Sequence, residues 1–170
     1  MDQLLVEGHL KRAVSAATPY ERFDWAWKAF NVLYSVGAER RDGERTLVRA
    51  AARQMGSDAE AFFNHISLRP LVSIAPVFEE KAWQRAGVQD SSRHREVQRR
   101  LTEIGTRAAI ADDVVALVDL LYVIRCNLAH GFKGPERPRD QEVLDAAAPI
   151  LLSFVQAVFT RHLRAQSRSA

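Results

Sequence analysis

Along most of the chain, apolar residues recur three and four positions apart. That is the period of helices that bury one face. Residues 3–16 read as a first helix, with Leu4, Leu5, Leu10 and Ala13 apolar and His9 a surface or hydrogen-bonded histidine. Thr18-Pro19 then offers an N-cap followed by proline at the first helical position. The second helix, residues 20–36, carries Phe23, Trp27, Phe30 and Tyr34 on one face. Aromatics at helical spacing build cores, so this face reads as a core ridge. Asn31 borders the ridge. Residues 37–43 form a turn. Residues 44–54 predict a third helix, with Leu47, Val48 and Ala51 inward. Arg45, Arg49 and Arg53 run along one side of it, read as a solvated face with RNA contact as the alternative. Gly56 ends this helix. Ser57-Asp58-Ala59-Glu60 has the form of a capping box opening a short helix through Phe62, Phe63 and Ile66.

Pro70 and Pro76 interrupt the next stretch, leaving short helical turns near residues 72–74 and 78–85 and a polar loop at 88–92. Residues 93–107 predict a basic helix with Arg93, His94, Arg95, Arg99, Arg100 and Arg107. Its charges suit either phosphates or water. Asp112 and Asp113 open a further helix. A Pro/Gly-rich basic loop follows at residues 132–139, with Lys133, Arg137 and Arg139. The last helix is expected over residues 141–164, kinked at Pro149, with residues 166–170 frayed. No alternating strand pattern or hairpin signal occurs. The expectation is one all-α domain over residues 1–170, a bundle of four or five main helices plus short ones.

The helix before the basic loop holds one anomaly. Val114, Leu117, Val118, Leu121 and Leu128 form an apolar stripe, and Arg125 sits within it. A guanidinium stays charged at any ordinary pH. Buried without a partner it would cost several kcal/mol or more. The stripe around Arg125 should therefore face a polar cleft, an acidic partner or another subunit. His130 follows five residues on, and Gly131 is suited to the position just past a helix end.

Composition narrows the chemistry. Hydrophobic residues make up 47% of the 170, ample for a core. Cys126 is the one cysteine, so an intrachain disulfide and a cysteine-based zinc site are excluded. Dispersed histidines give no metal site, and no nucleotide-binding glycine motif or nucleophile elbow occurs. No metal and no cofactor are expected. No apolar run approaches the ~18 residues of a membrane span, so a soluble cytoplasmic protein is expected. Net charge of +3 and a pI near 9.3 suit a polyanionic partner such as RNA.

The segment Arg125-Cys126-Asn127-Leu128-Ala129-His130-Gly131, preceded by Leu121-Tyr122, resembles the R-x4-6-H signature of HEPN domains. Residues 22–34, with their aromatic ridge and Asn31, are similar to the upstream helix of many prokaryotic members. The resemblance implies a helical bundle, commonly a homodimer through the helix carrying Arg125. It also implies a metal-independent endoribonuclease acting as a toxin or in phage defence. An antitoxin or a nucleotidyltransferase is the implied protein partner. Cys126 departs from the polar residue that follows the arginine in many members. Phe132 stands where one subgroup carries a tyrosine that is adenylylated.

Histidine suits proton transfer because its pKa lies near neutrality. Arginine suits a phosphorane-like transition state because its charge is fixed. Arg125 and His130 are thus the candidate catalytic pair, with Asn127, Asn31, Lys133 and Arg137 supporting them or holding RNA. The alternative is a module of the same kind that binds RNA or nucleotide, or docks a protein, without cutting. A third reading makes Arg125 an interface ion-pair residue and His130 a helix-ending residue.

Overall fold

A computed structural model describes residues 2–36, 43–74, 99, 102–103, 111–129 and 136–169. The expected turn at 37–43 apart from Gly43, the helical turn at 78–85, the loop at 88–92 and nearly all of the basic helix at 93–107 lie outside these residues. So do His130 and Lys133. The described residues are all-α, without a strand.

Seven α-helices occur among them. They are α1 (Gln3–Ser15), α2 (Pro19–Tyr34), α3 (Glu44–Arg53), α4 (Ala59–His65), α5 (Arg69–Ser73), α6 (Ala111–Ala129) and α7 (Pro138–Ser169). Asp2 caps α1 by accepting from the Leu5 amide. Thr18 and Glu21 form a reciprocal capping box at α2, with Pro19 in the first turn. That box satisfies two amides which would otherwise lack partners.

The core forms where α2 lies between α1 and α7. Phe30 is fully buried and meets Trp27, Tyr34 and Phe154 edge-on at 5.5, 5.0 and 5.1 Å. Edge-to-face pairs at such distances are favourable beyond the area they bury. Phe62 of α4 reaches the same Phe154 ring. The aromatic ridge read from the sequence is therefore the spine of the core. On the outer side of α2, Trp25 receives the His9 ring at 5.5 Å, the Arg12 guanidinium at 4.6 Å and the Lys28 ammonium at 4.1 Å. This stack helps fasten α1 to α2.

Three expectations need correction. Ser57-Asp58-Ala59-Glu60 does not form a capping box. Gly56 adopts a left-handed φ of +47° and starts a 3₁₀ turn at Gly56–Asp58, and no side-chain cap opens α4. The Asp58 carboxylate instead accepts from Arg161 of α7 at 2.8 Å. The last helix starts at Pro138, which places Arg139 in its first turn rather than in a loop. It also runs to Ser169, so residues 166–169 are helical rather than frayed. Pro149 is accommodated inside it. Within α7, Pro138–Arg168 is long and apolar enough to cross a membrane, but 61% of its apolar window is buried against the rest of the protein. Its buried positions, among them Leu144, Leu151, Phe154 and Val155, are core residues.

Candidate functional site

The site is built on the seam where α3 packs against α6. Glu44, at the start of α3, meets Arg125 late in α6. Arg45 and Arg49, further along α3, meet Asp119 earlier in α6. The two helices therefore run antiparallel.

The burial pattern of α6 resolves the Arg125 anomaly. Val114, Leu117, Val118, Leu121 and Ile124 are fully buried, and Asn127 is 5% exposed. The stripe expected from the sequence ran through Arg125. The actual buried face turns through Ile124 and Asn127 instead. At about 100° per residue Arg125 falls on its flank, toward α3. There the Arg125 side chain keeps 32% of its exposure.

Arg125 Nη1 donates to Glu44 Oε2 at 3.2 Å. The other Glu44 oxygen accepts from the Tyr34 hydroxyl at 2.7 Å. Tyr34 thus links the aromatic core to the seam. Burial first, and then its bond to Glu44, push the Tyr34 phenol well above its ordinary pKa. Tyr122 stands on the same seam, its ring 6.1 Å from Trp27. Burial and the adjacent Cys126 push its phenol up to about 12. Both phenols stay protonated at neutral pH and serve as donors, not bases. The Trp27 indole N–H is buried nearby without a hydrogen-bond partner among the described residues.

The pair is open. Among the described residues the Arg125 guanidinium makes the single bond to Glu44. Arginine has five N–H donors in a fixed fork, a shape matched to carboxylate and phosphate. Most of this fork is uncommitted on a third-exposed side chain.

A second ion-pair group lies along the seam. Asp119 accepts from Arg45 at 2.8 and 2.7 Å and from Arg49 at 3.0 and 2.7 Å, both forks bidentate. Burial alone would raise the Asp119 pKa. The hydrogen bonds from Arg45 and Arg49 outweigh it and hold the carboxyl at about 2, against an ordinary 3.8. The row Arg45, Arg49, Arg53 read as solvated is therefore solvated only in part. Its first two members clamp α3 to α6.

The remaining candidates are distributed as follows. Asn127 is buried, with little surface to offer a phosphate. Asn31 is half-buried on α2, and no hydrogen bond joins its side chain to Arg125. Tyr34, three positions later on α2, reaches the seam through its bond to Glu44. Arg137 is exposed, and its carbonyl accepts from Asp140 and Gln141 amides at the start of α7. Glu44, Tyr34 and Asp119 were missed by the sequence reading. Their partners lie ten to 81 residues away, and nothing local signals them.

No family model, no curated protein and no solved structure matches this chain.

Proposed function

We propose that the protein is a HEPN-type, metal-independent endoribonuclease with Arg125 and His130 as its catalytic pair. The observation that carries this reading is the open Arg125–Glu44 pair: a cation fixed at 3.2 Å by one contact, one-third exposed, with most donors uncommitted. Arg45 and Arg49 each commit two donors to Asp119, whereas Arg125 commits one to Glu44. In the sequence His130 follows directly on Ala129, the last described residue of α6.

RNA supplies its own nucleophile. The ribose 2′-hydroxyl attacks the adjacent phosphorus and loses its proton to a base. The bond to the 5′-oxygen breaks, and that oxygen takes a proton. The products are a 2′,3′-cyclic phosphate and a 5′-hydroxyl. His130 transfers one of these protons. Arg125 donates to the phosphoryl oxygens as charge builds on them. Asn127, buried two residues before the last described residue of α6, helps set the direction of that end. Lys133 and Arg137 hold flanking phosphates. Cytoplasmic location and a role as toxin or defence effector, restrained by an antitoxin or nucleotidyltransferase partner, belong to the same reading.

A homodimer through α6 would use the flank bearing Arg125, because the apolar stripe is already buried within one chain. The test is incubation with RNA in chelator, followed by analysis of the product ends. Fragments ending in 2′,3′-cyclic phosphate, lost in His130→Ala, support the proposal. Fragments with 5′-phosphate ends, or equal cleavage by the variant, contradict it.

The second reading is a module that binds RNA or nucleotide without cutting. Glu44 favours it, since a carboxylate beside the guanidinium offsets part of the charge on which catalysis would draw. Affinity that depends on Arg125, with no product over long incubation, would establish this alternative.

A further inference from the structure

Two arginines on one carboxylate are more than a helix tie requires. A single bidentate fork already joins α3 to α6 and is the strong form of such a pair. The second fork places two like charges on the same two oxygens. Asp119 has its acceptor sites filled by four hydrogen bonds, so both guanidiniums are held still. Both remain open to solvent, Arg45 at 40% and Arg49 at 41% side-chain exposure. Arg49 donates through Nε and Nη2 alone, which leaves three of its five N–H groups without a hydrogen bond among the described residues. Arg53 is exposed one turn further along α3. Arg125 opens on the same seam. Successive arginines on α3 rise about 6 Å along the helix.

We infer that the Arg45–Asp119–Arg49 clamp is a second anion site, taking a backbone phosphate of the RNA strand whose scissile phosphate Arg125 engages. This rests on the reading of the molecule as an RNA-binding protein and adds where the strand runs: along the α3–α6 seam. Asp119 is a positioning residue. It holds both forks rigid so that the outer edge of Arg49 meets a phosphate without first losing side-chain freedom.

The experiment measures affinity for a labelled single-stranded RNA, 2′-O-methylated so that it cannot be cut, across a series of salt concentrations. Each phosphate contact to a single strand contributes about 0.7 to the slope of log affinity against log salt. Arg49→Gln should lower that slope by about 0.7, whereas Arg49→Lys should keep it. Lys11→Gln, on the exposed side of α1, should leave it unchanged. A merely structural clamp would lower the melting temperature of Arg49→Gln and leave the slope alone, which overturns the inference. If Arg49→Gln does not fold, the same slope is read from Arg53→Gln, where the strand's path along α3 predicts a smaller drop and an unchanged slope overturns it. An unchanged slope together with Arg125-dependent cleavage removes the second site and leaves the proposed function standing. Absence of RNA binding by the unaltered protein removes both.

Discussion

Arg125 of α6 and Glu44 of α3 meet by a single contact, Nη1 to Oε2 at 3.2 Å, with roughly a third of each side chain still in water. The Tyr34 hydroxyl holds the far oxygen of Glu44. Glu44 therefore sets where the guanidinium sits but does not enclose it. On the proposed reading, an incoming phosphate would meet a cation already placed and compete with one carboxylate oxygen for it.

That competition gives the first prediction. Glu44→Gln keeps the shape and removes the negative charge. An ion pair with a third of each side chain in water contributes about 1 kcal/mol at most, so thermal stability should change little. RNA affinity should rise, because the rival anion is gone. Fluorescence anisotropy at fixed salt checks this. Affinity that falls would mean that Glu44 aids the anion rather than competing with it.

Tyr34→Phe removes the hydroxyl and leaves the ring in the core. The lost bond to Glu44 should cost about 1 kcal/mol. For a domain of this size that lowers the melting midpoint by roughly 2–4 °C. Phe30→Ala removes a fully buried ring that touches three other aromatics and should cost about 3–5 kcal/mol. Denaturant titration distinguishes the two sizes.

Acid should weaken the seam through Asp119. Its carboxyl titrates at about 2 when folded, below the ordinary 3.8, because Arg45 and Arg49 prefer it charged. The unfolded chain takes up that proton first. The contribution is therefore fully present above about pH 4–5 and is lost as pH falls toward 2. Asp119→Asn should be less stable at neutral pH and should show a flatter decline over that window. Melting temperatures measured from pH 6 to pH 2 give the comparison. Parallel curves for the two proteins would deny Asp119 this role.

Gly8 lies in the middle of α1, and a Cβ built there meets no atom within 4 Å. Gly8→Ala should stabilise the protein by about 0.5–1 kcal/mol through helix propensity and a less flexible unfolded chain. A lower melting temperature would show that α1 needs this position bare.

How far the sequence foretold this molecule follows the range of the forces involved. α1, α2 and α3 were legible to within two residues at their ends, because caps and apolar spacing are local. The aromatic ridge of α2 was legible for the same reason. Arg125 stood out as a charge that the spacing put within an apolar stripe, but its true placement depended on which way α6 rolls, and the packing of Ile124 and Asn127 set it on the flank. Glu44 carries no local mark as its partner. The arginine row on α3 looked like surface because Asp119, which binds two of its members, lies some seventy residues on. Asp58 looked like part of a cap until a left-handed Gly56 and Arg161 gave it another use.

The account depends most on the open fork of Arg125. Its direct test is the rate of RNA cleavage in chelator by the unaltered protein and by Arg125→Ala. Loss of the donor should slow cleavage at least about a hundredfold while the protein stays folded. Cleavage at an undiminished rate in folded Arg125→Ala would contradict it.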